Sequence, residues 1–126
     1  MRIFVKKVNA FTDSIDGGNP AGVVLNSPNL SDEQMASISR QLEVSETAFV
    51  FSSKKADYKN VFFTPEIEVD LCGHATIATF YTMAIEGFFD TGQNTIVTQE
   101  TKAGILPVYI EYSEDGSLDR VMMGQK

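Results

Sequence analysis

The stretch DLCGHATIATF at 70–80 gathers a carboxylate (Asp70), the chain's only cysteine (Cys72), a glycine (Gly73) and the only histidine (His74) directly before an uncharged run. A helix beginning at Gly73 or His74 would aim its free backbone N–H groups and its dipole at whatever lies before it. That arrangement suits a carboxylate or a phosphate. Gly73 would let a ligand approach the backbone closely. His74 can donate a hydrogen bond or move a proton near neutral pH, and a thiol at a helix N-terminus, Cys72, ionises more readily than a free one. The same residues have an architectural reading: Gly73 as a turn, Cys72 as a small buried apolar group, His74 as a satisfied polar one. Asp70 either orients His74 or a substrate, or is a surface charge.

Two further positions carry chemistry. Glu46 stands between an amphipathic helical segment and the apolar run AFVF (48–51). A carboxylate at such a junction, if partly desolvated, gains the raised pKa of a useful acid/base; if solvated, it is an ordinary loop glutamate. Asn19, in GGNP (17–20), either offers its amide to a ligand from a rigid turn or is a plain turn residue. The Gly-x4-Gly-Lys-Ser/Thr spacing of a phosphate loop is absent.

The elements that must hold these groups follow from pattern and punctuation. Ile3–Val5 and Val8–Phe11 read as a first strand interrupted by Lys6 and Lys7. A turn cluster spans 12–20, and Ala21–Leu25 forms a second strand. Ser31 and Gln34 fit a capping box, with Met35, Ile38 and Leu42 on one face of a helix that ends near Leu42 or Glu43. Thr47–Ser52 and Tyr58–Thr64 are strands, the latter stopped by Pro65. The alternation of Glu66 and Glu68 with Ile67 and Val69 places both glutamates toward solvent. A second helix runs from Gly73 or His74 to about Glu86, with Gly87 as its C-terminal stop. Three strands close the chain (95–100, 105–112, 118–123), the last two joined through Asp115-Gly116, a hairpin signal. Two helices cannot cover both faces of so large a sheet. The run 75–85 has no charged residue on any face, as expected of a helix enclosed by a curved sheet. The expected class is α+β, a curved, mostly antiparallel sheet or barrel around a central apolar helix.

At 126 residues, 43% hydrophobic and 21% charged, the chain is the size and composition of one globular domain. A net charge of −7 without any basic cluster gives no footprint for nucleic acid or for an anionic membrane surface. One cysteine forbids an internal disulfide, and one Cys with one His cannot close a structural zinc site. No stretch is apolar enough to span a bilayer, and the N-terminus lacks a signal-peptide pattern. A cytoplasmic protein is expected.

Taken in order, GNPAGVVL (18–25), a helix, SETAFV (45–50), FFTPEIEVDLCGHATIATF (62–80) and RVMMGQ (120–125) resemble the PhzF-like, phenazine-biosynthesis family of the diaminopimelate-epimerase-like superfamily. The resemblance implies two similar lobes, each a curved sheet or barrel around a central helix, with the active site in the cleft between them. It implies an isomerase that moves a proton between carbons of a small carboxylate-bearing metabolite, using no cofactor and no metal. By the same resemblance Glu46 is the catalytic acid/base, His74 acts with it, Gly73 contacts substrate and Asn19 lies near the cleft. Asp70 is added to the substrate-binding set from its place beside them.

Two features depart from that pattern. Cys72 occupies a position where related epimerases and proline racemases carry a catalytic cysteine, so a two-thiol racemase using Cys72 is an alternative mechanism. A non-catalytic module that binds a metabolite or pairs with a partner is a third reading. Family members are also longer. Residues 1–126 correspond to the N-terminal lobe, without the second. The expectations are that the chain alone does not turn over substrate and that its uncovered apolar surface drives homodimerisation or other self-association.

Overall fold

Ser31 starts the first helix through both halves of the capping box. Its hydroxyl accepts from the Gln34 N–H at 3.1 Å, and the Gln34 side chain accepts from the Ser31 N–H at 2.8 Å. The helix, α1 (Asp32–Leu42), stops where Glu43 turns left-handed at φ 57°. The computed structural model describes residues 5–10, 19–89 and 92–124, without the side chains of Asn9, Ala10 and Asn19. The expected turn at 12–18, and Ile3, Phe4, Phe11 and Gln125, lie outside the described residues.

The strands are β1 (Lys6–Ala10), β2 (Asn19–Val24), β3 (Glu46–Phe51), β4 (Tyr58–Phe63), β5 (Glu68–Val69), β6 (Thr95–Thr101), β7 (Gly104–Tyr112) and β8 (Leu118–Met123). They form one sheet in the order β1-β2-β3-β4-β6-β7-β8, with β5 paired to β4. The β2–β3 and β4–β6 pairings are parallel and the others antiparallel. Each parallel step is bridged by a helix, α1 for the first and α2 (Gly73–Ile85) for the second, as parallel neighbours require. The architecture is α+β, a mixed sheet curled around α2, which packs against β1, β2 and β3 on one side and β7 and β8 on the other.

Alternation along each strand sorts residues between the two faces. Ala21, Val23, Ala48 and Phe62 meet Ala75 and Ala78 of α2 on the inner face. Val24, Phe49 and Phe63 meet Met35 and Ala36 of α1 on the outer face. Farther along α2, Phe80 and Met83 pack with Val97, Val108, Ile110 and Val121. α2 can bury threonines because Thr76, Thr79 and Thr82 donate to their own helix at the carbonyls four residues back, at 2.7–2.8 Å. Gly22 permits α1 to lie close on the sheet: a Cβ there would sit 2.6 Å from Leu42 Cδ1.

Four details differ from the sequence reading. Lys6 and Lys7 belong to β1 rather than interrupting it, since an edge strand holds exposed lysines comfortably. Asn19 and Pro20 lie in β2 rather than in a turn, because pairing with β1 continues to Ala10↔Asn19. Val69 pairs with Phe62 and makes a short extra strand, which half-buries Glu68 and sets it 3.1 Å from Lys102; Glu66 stays exposed. And α2 is not enclosed all round: Gly73, Tyr81 and Ile85, with half-buried Ile77, form a stripe the sheet does not cover. The sheet curls around the helix and leaves this stripe open. Among the described residues, no helix is long and apolar enough to cross a membrane.

Candidate active site

Glu46 is the first residue of β3, in register with Ala21 of β2. It shares the inner face with Ala48, and so points toward α2 rather than into a loop. His74 is the second residue of α2, directly before Ala75, which shares the buried face with Ala78. The two elements bring Glu46 Oε2 to 3.0 Å from His74 Nε2. The side chains are 23% and 14% exposed, so the pair is largely shielded without being sealed. The separation is that of an ion pair, but the alignment is short of a formed hydrogen bond, and neither atom has another partner. A small shift, or a ligand between them, completes the contact.

Cys72 is the N-cap of α2, with its sulfur 3.3 Å from the other ring nitrogen, His74 Nδ1. The imidazole therefore lies between a thiol and a carboxylate. Burial pushes the Cys72 thiol pKa up, and the nearby Glu46 carboxylate adds to the rise. The backbone N–H groups of Ala75 and His74 pull the other way. The net effect keeps a proton on sulfur, contrary to the lowered pKa that a helix N-terminus alone suggests.

α2 begins with no side-chain cap and no acidic residue in its first turn. A helix start of this kind, with its dipole, suits an anion. Gly73 is exposed, and a Cβ on it would approach only Met123 Cε, at 4.0 Å. Packing within the chain does not demand glycine there, whereas close approach of a ligand does. Asp70 is exposed and joins neither Glu46 nor His74 by a hydrogen bond or ion pair. Asn19 enters β2 opposite Ala10, two residues before Ala21, the register partner of Glu46; its side chain lies outside the described residues.

Carboxylate, thiol and imidazole offer donor atoms within 4.8 Å of one another, the set a borderline-soft divalent ion uses. The thiol and the carboxylate face opposite ring nitrogens, however, so one ion would have to displace one of the two contacts. Acid–base work asks for no such rearrangement.

Sequence reasoning missed what supports this corner. Gln99 of β6 is wholly buried, accepts from Asn60 Nδ2 and donates to Thr76 Oγ1, both at 3.4 Å. Thr76 donates to the Cys72 carbonyl at 2.8 Å. This polar chain ties the central strands to the first turn of α2. The available signal was Gln99 two residues after Val97, a polar group on the inward side of an alternating strand.

The fold is a mixed sheet curled around one helix, with a strand carboxylate facing an imidazole at the helix start. The chain belongs to the PhzC-PhzF family of phenazine biosynthesis-like proteins, whose family model matches residues 8–125. It is 47% identical over 111 residues to an uncharacterized isomerase of Clostridium acetobutylicum, covering 86% of this chain and 36% of that one. The crystal structure of a Bacillus anthracis phenazine biosynthesis protein of the PhzF family matches with a TM-score of 0.82 and 42% identity, over 94% of this chain and 39% of that one. A predicted epimerase from Pseudomonas aeruginosa shares the fold at a TM-score of 0.77 and 17% identity, over 89% and 39%. The chain spans little more than a third of the length of the curated relatives it matches.

Proposed function

We propose that this chain is the N-terminal lobe of an isomerase that moves a proton on a small carboxylate substrate, with Glu46 as the general acid/base. The approach of Glu46 to His74 at the open start of α2 carries this reading. The substrate carboxylate would sit at the N–H groups around Gly73, where the dipole favours an anion. Glu46 would take a proton from one carbon and return one to another. His74 Nε2 would donate to charge as it develops on the substrate and hold the Glu46 carboxylate in place between transfers. The remaining half of the cleft would come from chain beyond this lobe or from a second copy.

A Cys72-based racemase is less well supported, because a thiol that keeps its proton is a poor base. The test is carbon–hydrogen exchange in D2O, followed by proton NMR, over a panel of small carboxylates with a two-lobed protein carrying this chain. Exchange is expected, reduced by about 100-fold or more in Glu46→Gln and largely kept in Cys72→Ser. Exchange that survives Glu46→Gln would refute the assignment. Its absence across the panel, with normal cellular function of the variant, would favour a binding module.

A further inference from the structure

His74 is a ring with two different neighbours. Its Nε2 lies 3.0 Å from a carboxylate oxygen of Glu46, and its Nδ1 lies 3.3 Å from the sulfur of Cys72. A neutral imidazole carries one proton, on one nitrogen or the other, and the group facing the bare nitrogen must be a donor. In the base form that the acid/base reading requires, the Glu46 carboxylate has no proton to give. A bare Nε2 facing it would oppose two lone pairs at 3.0 Å in a largely buried place. A thiol can donate, and Cys72 is 8% exposed, with burial favouring its protonated form. The two contacts agree on one assignment.

We propose that Cys72 is a positioning residue whose S–H donates to His74 Nδ1 and so fixes the imidazole in the Nε2–H tautomer that faces Glu46 and the open start of α2. The role rests on the acid/base reading above, since the tautomer matters there because Nε2–H is the donor that Glu46 and a substrate meet. It differs from a thiol that itself takes protons from substrate. The sulfur keeps its proton throughout and acts only through the ring. It also accounts for a cysteine at the N-cap, where Ser, Thr, Asp or Asn would cap the helix better and where this thiol makes no capping hydrogen bond.

Because His74 is the only histidine of the chain, labelling with 15N-histidine gives one imidazole, observable with no assignment problem. In the neutral ring the expected spectrum has a pyridine-like Nδ1 line and a pyrrole-like Nε2 line, widely separated. Cys72→Ser retains a donor and should preserve the two lines. Cys72→Ala should draw them toward each other as the second tautomer becomes populated, with an unchanged backbone amide spectrum as the control for folding. A protonated Nδ1 in the wild-type chain, a ring protonated on both nitrogens, or a Cys72→Ala spectrum identical to wild type would overturn the proposal. The wild-type spectrum alone decides the tautomer should the alanine variant not fold. The lines report the ring whether or not any substrate turns over. A correct tautomer together with exchange that survives Glu46→Gln would refute the acid/base reading alone.

Discussion

Gln99 of β6 and Thr76 of α2 meet in the centre of the molecule, both wholly buried, with Gln99 Nε2 donating to Thr76 Oγ1. Thr76 passes the chain on to the Cys72 carbonyl, the residue that opens the candidate site. Replacing Gln99 with Leu removes one member and strands the Asn60 amide, costing about 1–3 kcal/mol in urea unfolding. The double variant Gln99→Leu, Asn60→Leu should recover part of that loss, because it removes the stranded group as well. A single variant as stable as wild type would show that the chain contributes nothing to the fold.

Gly73 separates stability from function. Its added Cβ meets only open space, with Met123 at 4.0 Å. Gly73→Ala should therefore leave the urea midpoint unchanged or raise stability by up to about 1 kcal/mol. If the substrate approaches this backbone, the same variant in a two-lobed protein should raise KM several-fold. Unchanged kinetics would move the anion site elsewhere.

Cys72 makes stability depend on pH in one direction. Burial raises the folded thiol above its unfolded value, so the folded chain holds that proton more tightly. The resulting stabilisation is complete below the ordinary thiol range and is lost as pH rises through the raised folded value. The urea midpoint should fall along that alkaline limb, and Cys72→Ser should flatten it. Tyr58, also raised chiefly by burial, remains in both proteins and contributes an alkaline loss of the same sign to each. Parallel curves for the two proteins would contradict the assignment.

The uncovered stripe on α2 should drive association. Ile85 is 63% exposed and Tyr81 44%, on the same side as Gly73. Light scattering should show mass rising with concentration, and Tyr81→Glu with Ile85→Lys should restore a monomer. A clean monomer at high concentration in the wild-type chain would contradict it.

Much of the local structure was legible because its causes are local. Ser31 and Gln34 satisfy each other within one turn, and Glu86-Gly87 ends α2 where the apolar run ends. The hairpin at Asp115-Gly116 closes on a glycine at φ 86°. What was not legible depends on strand pairing and tertiary contact rather than on residue type. β5 exists only because Phe62 offers Val69 a pairing edge, and Asn19 is extended only because β1 continues beside it. The site itself was legible in part. Residues 72–74 announce themselves by type, but Glu46 became prominent through family resemblance, since nothing near it in sequence states that it will face His74. The Asn60–Gln99–Thr76 chain depends on three separate elements and left only one misplaced polar residue as a sign.

The parallel pairing of β4 with β6 is narrow, only Tyr58↔Gln99 and Lys59↔Glu100 in register. The Asp57 carboxylate accepts from the Thr98 N–H, and the Ser53 hydroxyl donates to Glu100, reinforcing it. On one side of this seam lie β1 to β5, and on the other the meander β6-β7-β8, with α2 touching both. The two parts are thus joined by a short seam and by one helix that touches both. The meander, built of sequence-local hairpins, can form early and alone, whereas the seam must await the α2 crossover. Glu46 stands in the first part and His74 on the helix that joins the two, so the candidate site exists only where that helix docks on β3. A chain with that helix undocked would keep most of its strands and lose the meeting of Glu46 with His74.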